Sequence, residues 1–142
     1  MRPAKPSADE VVYASEPNLS ADEFIAVLET SGLAERRPVG ERVRIEAMLR
    51  NADITIVARD KGRIIGVSRA LADGGFCCYL SDLAVDRAYQ GRGIGQKLIE
   101  LTWDAAGRQT TLILLAAPKA ISYYPHIGMR KHDACYVLDR EK

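Results

Sequence analysis

Cysteine is scarce in this chain, histidine scarcer still, and neither sign of charge prevails. The 142 residues include three cysteines and two histidines, with 20 lysines and arginines against 19 aspartates and glutamates. An odd cysteine count with two neighbours, Cys77 and Cys78, suits neither a disulfide framework nor a zinc knuckle. The three thiols are read as small hydrophobes, with Cys77 and Cys78 on opposite faces of one strand. His126 and His132 lack flanking acids at ligand spacing, so no metal site is expected. A formal charge of +1 argues against nucleic acid held by bulk charge. No apolar run approaches the roughly 20 residues that a membrane span requires, so no membrane partner is expected. "MRPAKPSADE" has no apolar stretch of the signal-peptide kind, which makes a cytoplasmic location the expectation. Repeats and low-complexity segments are absent as well.

What is present suits one domain over 1–142, with residues 1–10 loose. Val11–Ser15 reads as a first strand. A helix follows, with Ser20 as N-cap, Glu23 in the capping-box position, Phe24, Val27 and Leu28 as apolar face, and Gly32 as stop. After the loop "AERRPVGE", "RVRIEAMLRNAD" predicts a second helix with Val43, Ala47 and Leu49 or Met48 inward. The period then becomes that of strands. Gly62, and the pair Gly74 and Gly75, mark two hairpins, giving an antiparallel meander from about Ile54 to Val85. "GIGQKLIELTWDAAG" predicts a helix with Ile94, Leu98, Leu101 and Ala105 on one face. "TTLILLAA" reads as a strand covered on both faces. "PKAISYYPHIG" reads as a short helix, and "DACYVLDR" as a last strand. The order β-α-α-β-β-β-α-β-α-β, with a parallel pair across the third helix, gives a mixed α+β class.

One segment carries glycines where strand gives way to helix. In "DLAVDRAYQGRGIG", Gly91, Gly93 and Gly95 alternate just before an apolar-periodic stretch. Glycine in an element interior is unfavourable, so these positions need a reason. A helix entered from such a turn presents free N–H groups and a positive dipole end, and glycine lets a ligand reach them. That is a phosphate cradle built from main chain, to which Arg92 and Lys97 could add charge. The Walker pattern fails because no "GK[ST]" follows, and the spacing is not that of the dinucleotide fingerprint.

The fuller string "LAVDRAYQGRGIG" resembles the acetyl-CoA signature of the GNAT superfamily of N-acetyltransferases, Q/R-x-x-G-x-G/A, filled by Gln90, Gly93 and Gly95. "AISYYPHIGMRKH" is similar to that superfamily's closing helix and turn, with Tyr124 four residues before Gly128. The order of elements resembles the fold from Val11 to about Leu138. The resemblance implies acetyl-CoA as co-substrate, an amine acceptor and direct attack in a ternary complex. It implies that Leu83, Ala84 and Val85 pair by their backbone with the pantetheine arm. Gln90, Gly91, Arg92, Gly93, Ile94, Gly95 and Gln96 would hold the diphosphate. A bulge would splay the fourth strand from its parallel neighbour after Leu112, with the thioester oxygen near an N–H of Leu83 or Ala84. Tyr124 matches the tyrosine that protonates the leaving sulfur, with Tyr123 as rival about 100° away around the helix. Pro125 departs from many relatives and puts the aim of Tyr124 in doubt.

The base has no single candidate. Asp82 is the nearby carboxylate and would take a proton or orient the amine; pairing with a basic side chain is the other role for it. Tyr79 is expected on one face with Ser81 and Leu83, lining the acceptor channel. Cys77 and Cys78 have no evident histidine partner for an acyl-enzyme route. "RRPVGERVR" reads as a solvated loop or as a rim for an acidic acceptor. Acceptor identity stays open between a small amine and a protein amino group, and a non-catalytic acyl-CoA-binding module is the alternative from another class. A homodimer through sheet edges is compatible with the pattern.

Overall fold

The computed structural model describes residues 10–141, so most of the stretch expected to be loose lies outside the described residues. Five strands, β1 (Val11–Ser15), β2 (Ile54–Asp60), β3 (Arg63–Ala72), β4 (Cys77–Val85) and β5 (Thr111–Leu114), form one sheet in that order. All pairs are antiparallel except β4 with β5. Helices α1 (Ala21–Ser31), α2 (Arg42–Arg50), α3 (Ile94–Ala106) and the four-residue α4 (Tyr123–His126) complete the mixed α+β arrangement.

Local chemistry sets the elements. Ser20 accepts from the Glu23 N–H at 3.2 Å, and Gly32, with φ 89°, closes α1 in the left-handed region. Glu23 does not return to Ser20 as a full capping box would require. Its carboxylate is taken by Arg59, which also holds Glu16. Phe24, Val27 and Leu28 of α1 pack with Ile45 and Leu49 of α2 against Val57, Ile64 and Val67. On the opposite face Ile94 and Leu98 of α3 meet Ala58 and Ile65. Gly66 lets that helix sit close, because a Cβ there would stand 3.2 Å from Leu98 Cδ1. Phe24 is fully buried. Phe24→Ala is therefore expected to lower stability by about 3–5 kcal/mol, measured by denaturant unfolding.

Several sequence expectations need correction. Leu49 faces inward as expected, but Val43 is 82% exposed and Ile45 takes its place in the core. The α2 helix begins at Arg42, which puts Val43 on its outer side. The inward face of α3 is Ile94, Leu98, Ile99, Thr102 and Ala106, with Ala105 exposed. β5 is covered on one face only: Leu112 and Leu114 pack inward while Ile113 is 52% exposed. Its apolar run reflects an edge strand near one covering layer. "PKAISYYPHIG" divides into a single turn at Pro118–Ala120 and α4. "DACYVLDR" forms no strand, and among the described residues the order ends at α4. Tyr136 and Leu138 are 92% and 100% exposed. A β-prone stretch becomes a strand only where a partner edge is presented to it in register.

Two register shifts shape the sheet. Ala58 faces Gly66 and Arg59 faces Ile64, so Ile65 is an extra residue in β3. Arg69 faces Asp82 and Ala70 faces Leu80, so Ser81 is extra in β4.

Candidate active site

The bulge at Ser81 lies beside the point where the parallel pair parts. β4 and β5 pair from Cys77 with Thr111 to Leu80 with Leu114, two residues further along β5 than the sequence suggested. β4 continues to Val85, so its edge from Ser81 onward has no strand beside it on the β5 side. That bare main chain can receive an extended ligand as an added strand.

At the end of β4 the chain makes a single turn at Arg87–Tyr89 and enters α3 through the glycines. Asp86 caps that turn through the Ala88 N–H at 2.9 Å. Gly91 and Gly93 have φ of 80° and 78°, a region other residues seldom adopt. A Cβ on either would meet nothing within 4 Å. Gly93 is the N-cap of α3 and no side chain caps the helix; the first helical bond runs from the Lys97 N–H to the Gly93 carbonyl at 3.0 Å. The leading N–H groups thus face a cleft with the helix's positive end behind them, which is a site for a phosphoryl group.

The cleft encloses about 1000 Å³. Leu83, Val85, Gln90, Gly91, Gly93, Ile94, Gly95 and Gln96 line it on one side, and Tyr123, Tyr124 and His126 on another. Leu33, Glu35 and Arg36, from the connection between α1 and α2, form the facing wall. Ala84 is buried beneath α1. Arg92 is directed elsewhere: its guanidinium stacks over the Tyr89 ring at 5.5 Å and reaches the Ala88 carbonyl at 3.4 Å. The Gln90 side chain folds back to donate to the Val85 carbonyl at 3.0 Å. His132 is exposed, and among the described residues no group of three His, Cys, Asp or Glu could hold a metal ion.

Tyr89 went unremarked in the sequence although it lies inside the glycine string. It is 3% exposed and its hydroxyl donates to Asp60 of β2. That bond, and then burial, raise its phenol above the ordinary range. The pair pins the turn before the cradle to the sheet.

The two adjacent tyrosines have different stations. The Tyr123 oxygen stands over the first turn of α3, where a Cβ on Gly95 would be 2.8 Å from it. Tyr124 packs, with Leu112 and Leu114, on the cluster containing Cys78 and Leu80, beside the splay. The rings meet edge to face with centroids 5.2 Å apart. Burial raises the Tyr124 phenol above its usual value, with Tyr123 adding to the effect. Pro125 is third in α4, within the first turn, where its missing N–H has no helical acceptor to lose. Gly128, with φ 93°, closes the turn, and the Met129 N–H bonds the Tyr124 carbonyl at 3.0 Å.

Asp82 does not line the cleft. It is fully buried, and its two oxygens accept from Arg37 Nε and Arg69 Nε. Of its two sequence-derived roles, pairing with basic side chains fits this geometry. Ser81 Oγ also accepts from Arg69, at 3.0 Å. Consecutive side chains therefore share one face at the bulge, and Leu83 turns to the face opposite Ser81 rather than sharing it. Asp82→Ala would leave the buried Arg69 and the partly buried Arg37 without their carboxylate. Stability is expected to fall by about 3–5 kcal/mol, read from chemical unfolding. Burial lifts the Cys78 thiol, and slight desolvation with the Asp73 carboxylate beside it lifts that of the exposed Cys77, so both stay protonated and are poor nucleophiles.

Comparison with known proteins agrees with this geometry. Residues 51–130 match the acetyltransferase (GNAT) domain. An uncharacterized N-acetyltransferase, ycf52, of Pyropia yezoensis is 24% identical over 128 residues, which cover 86% of this chain and 71% of that protein. The histone acetyltransferase TAP1 of Glycine max is 26% identical over 84% of this chain, but the match spans only 56% of TAP1. A crystal structure of an aminoglycoside acetyltransferase from an uncultured soil metagenomic sample superposes with a TM-score of 0.71, at 18% identity, over 95% of this chain and 99% of that one. No helix among the described residues is long and apolar enough to cross a membrane. With the domain match covering more than half its length and the splayed pair leading into an uncapped glycine cradle, the chain belongs to the GNAT acetyltransferase family.

Proposed function

We propose that this protein transfers an acetyl group from acetyl-CoA to a primary amine by direct attack in a ternary complex. The observation that carries the proposal is continuity: the bare β4 edge, the glycine cradle and the Tyr124 phenol border one cleft. The fit to a coenzyme A diphosphate rests on Gly91 and Gly93, where open space lies above a backbone only glycine adopts readily. When bound, acetyl-CoA supplies a thioester whose carbonyl carbon bonds the amine nitrogen as its C–S bond breaks, the nitrogen losing one proton and the sulfur gaining one.

The chain's own groups have separate tasks. Main-chain N–H groups from Gly91 to Gln96, with Gln90 and Arg92 bracing the loop, hold the diphosphate. Leu83, Ala84 and Val85 align the pantetheine arm through their backbone. An N–H of Leu83 or Ala84 receives the negative charge that develops on the carbonyl oxygen. Tyr124 Oη–H gives its proton to the departing sulfur and regains one from solvent; burial keeps it protonated at neutral pH. With Asp82 enclosed by two arginines, water takes the proton from the amine.

Leu33, Glu35 and Arg36 wall the acceptor side with both signs of charge. By name, one relative is a histone acetyltransferase and one structural neighbour an aminoglycoside acetyltransferase. A small amine is the acceptor class we propose first. The test is a panel of amines, amino acids, aminoglycosides and peptides, incubated with acetyl-CoA and followed by thiol release and mass gain. Affinity for coenzyme A with no thiol release on any amine would favour a binding module instead.

A further inference from the structure

Arg37 lies just beyond Leu33–Arg36, the single turn whose residues wall the cleft opposite Leu83. Its guanidinium joins that wall to the β4 bulge. Nη1 donates to the carbonyl of its neighbour Arg36 at 2.8 Å, Nη2 to the Ser81 carbonyl at 2.7 Å, and Nε to Asp82. The side chain is only 20% exposed. Arg69 reaches the same place from β3, binding Asp82 and Ser81 Oγ and tying them to the Met48 carbonyl of α2 at 3.2 Å.

The target of Nη2 matters because Ser81 is the extra residue of the bulge. A ladder fixes the direction of its carbonyls, whereas the carbonyl of an inserted residue is left to other partners. Here that partner is Arg37. Turning the Ser81–Asp82 peptide would turn the amides that follow it, toward Leu83 and Ala84. The cluster also carries two guanidinium groups against one carboxylate, and no second carboxylate pairs with either arginine among the described residues. A surplus positive charge at a buried bulge favours charge that develops negatively beside it.

We infer that Arg37 is a positioning residue for acetyl transfer: it fixes the bulge against the acceptor wall, so the rate of transfer depends on it far more than coenzyme binding does. The inference rests on the transferase proposal above. It also means that the loop touched by the acceptor and the amides facing the thioester move as one piece.

The test compares the unmutated chain with Arg37→Gln and Arg37→Lys. Measured are coenzyme A affinity by calorimetry, kcat and KM for the best amine of the panel by thiol release, and thermal unfolding. Arg37→Gln is expected to lower kcat by about ten-fold or more, with coenzyme A affinity within about three-fold of the unmutated chain. Arg37→Lys should recover part of kcat, since an ammonium keeps the charge but cannot bridge three acceptors in one plane. Unchanged kcat in Arg37→Gln overturns the inference, as does an equal loss of kcat and coenzyme affinity, the mark of a brace for the fold alone. Should the glutamine variant not fold, the lysine variant decides: lowered kcat at unchanged affinity supports the inference, and wild-type kinetics overturn it. An unmutated chain that fails to bind coenzyme A overturns the transferase reading and this inference together, and that failure shows before any substitution is made.

Discussion

Tyr124→Phe is expected to lower turnover with acetyl-CoA by at least about ten-fold, the low end of what a positioned general acid contributes, while coenzyme A affinity stays within about three-fold. The substitution deletes one oxygen and keeps the ring, so the packing of Tyr124 on the cluster around Leu80 and Cys78 survives. Tyr123→Phe serves as comparison, because its oxygen stands over the first turn of α3 rather than beside the splay. Equal rates in Tyr124→Phe and the unmutated chain would remove Tyr124 from the chemistry. A pH profile adds an independent check. An acid must carry its proton to act, and burial moves the Tyr124 phenol upward from an ordinary value of about 10. The rate should therefore rise with pH as the acceptor amine loses its proton, and show no fall from Tyr124 below about pH 10. A descending limb near neutral pH, lost in Tyr124→Phe, would contradict the upward shift.

Closing the cradle should act on binding instead. Gly93→Ala places a methyl group on a residue with φ 78°, in space that no protein atom approaches within 4 Å. Two effects are expected: backbone strain of about 1–2 kcal/mol, and loss of coenzyme A affinity by at least about ten-fold, or ~1.4 kcal/mol. They can be separated with a matched control. Gly62, in the turn between β2 and β3, has φ 84° and equally open surroundings, yet it lies outside the cleft. Gly62→Ala should lose comparable stability and keep its affinity. If both variants weaken coenzyme binding alike, the loss comes from the fold. If neither does, the diphosphate is held elsewhere.

The helices and the cradle were legible because their signals are local. Ser20 and Gly32 bracket α1 within a dozen residues, and the glycine string specifies backbone freedom at positions only two apart. The bulge was anticipated only through resemblance to the family. Nothing in "CYLSDLAV" announces that Ser81 has no partner, because register belongs to a pair of strands. Residues that depend on distant neighbours were less legible. For Asp82 the sequence left proton transfer and pairing with a basic side chain both open, since the arginines that hold it are 45 and 13 residues away in the chain. "DACYVLDR" read as a strand, though pairing requires an edge that composition cannot supply.

By itself the chain's order of residues determined where α1 and α3 start and stop, where main-chain N–H groups are left uncapped, and which tyrosines stand near the end of the domain. Each of these rests on dihedral preference or hydrogen bonding within a few residues. Only the tertiary structure decided that Ser81 is the inserted residue, that Asp82 lies locked between Arg37 and Arg69, and that Tyr124 rather than Tyr123 stands beside the splay. Burial, charge pairing and register arise between segments far apart in sequence, where no local preference can encode them.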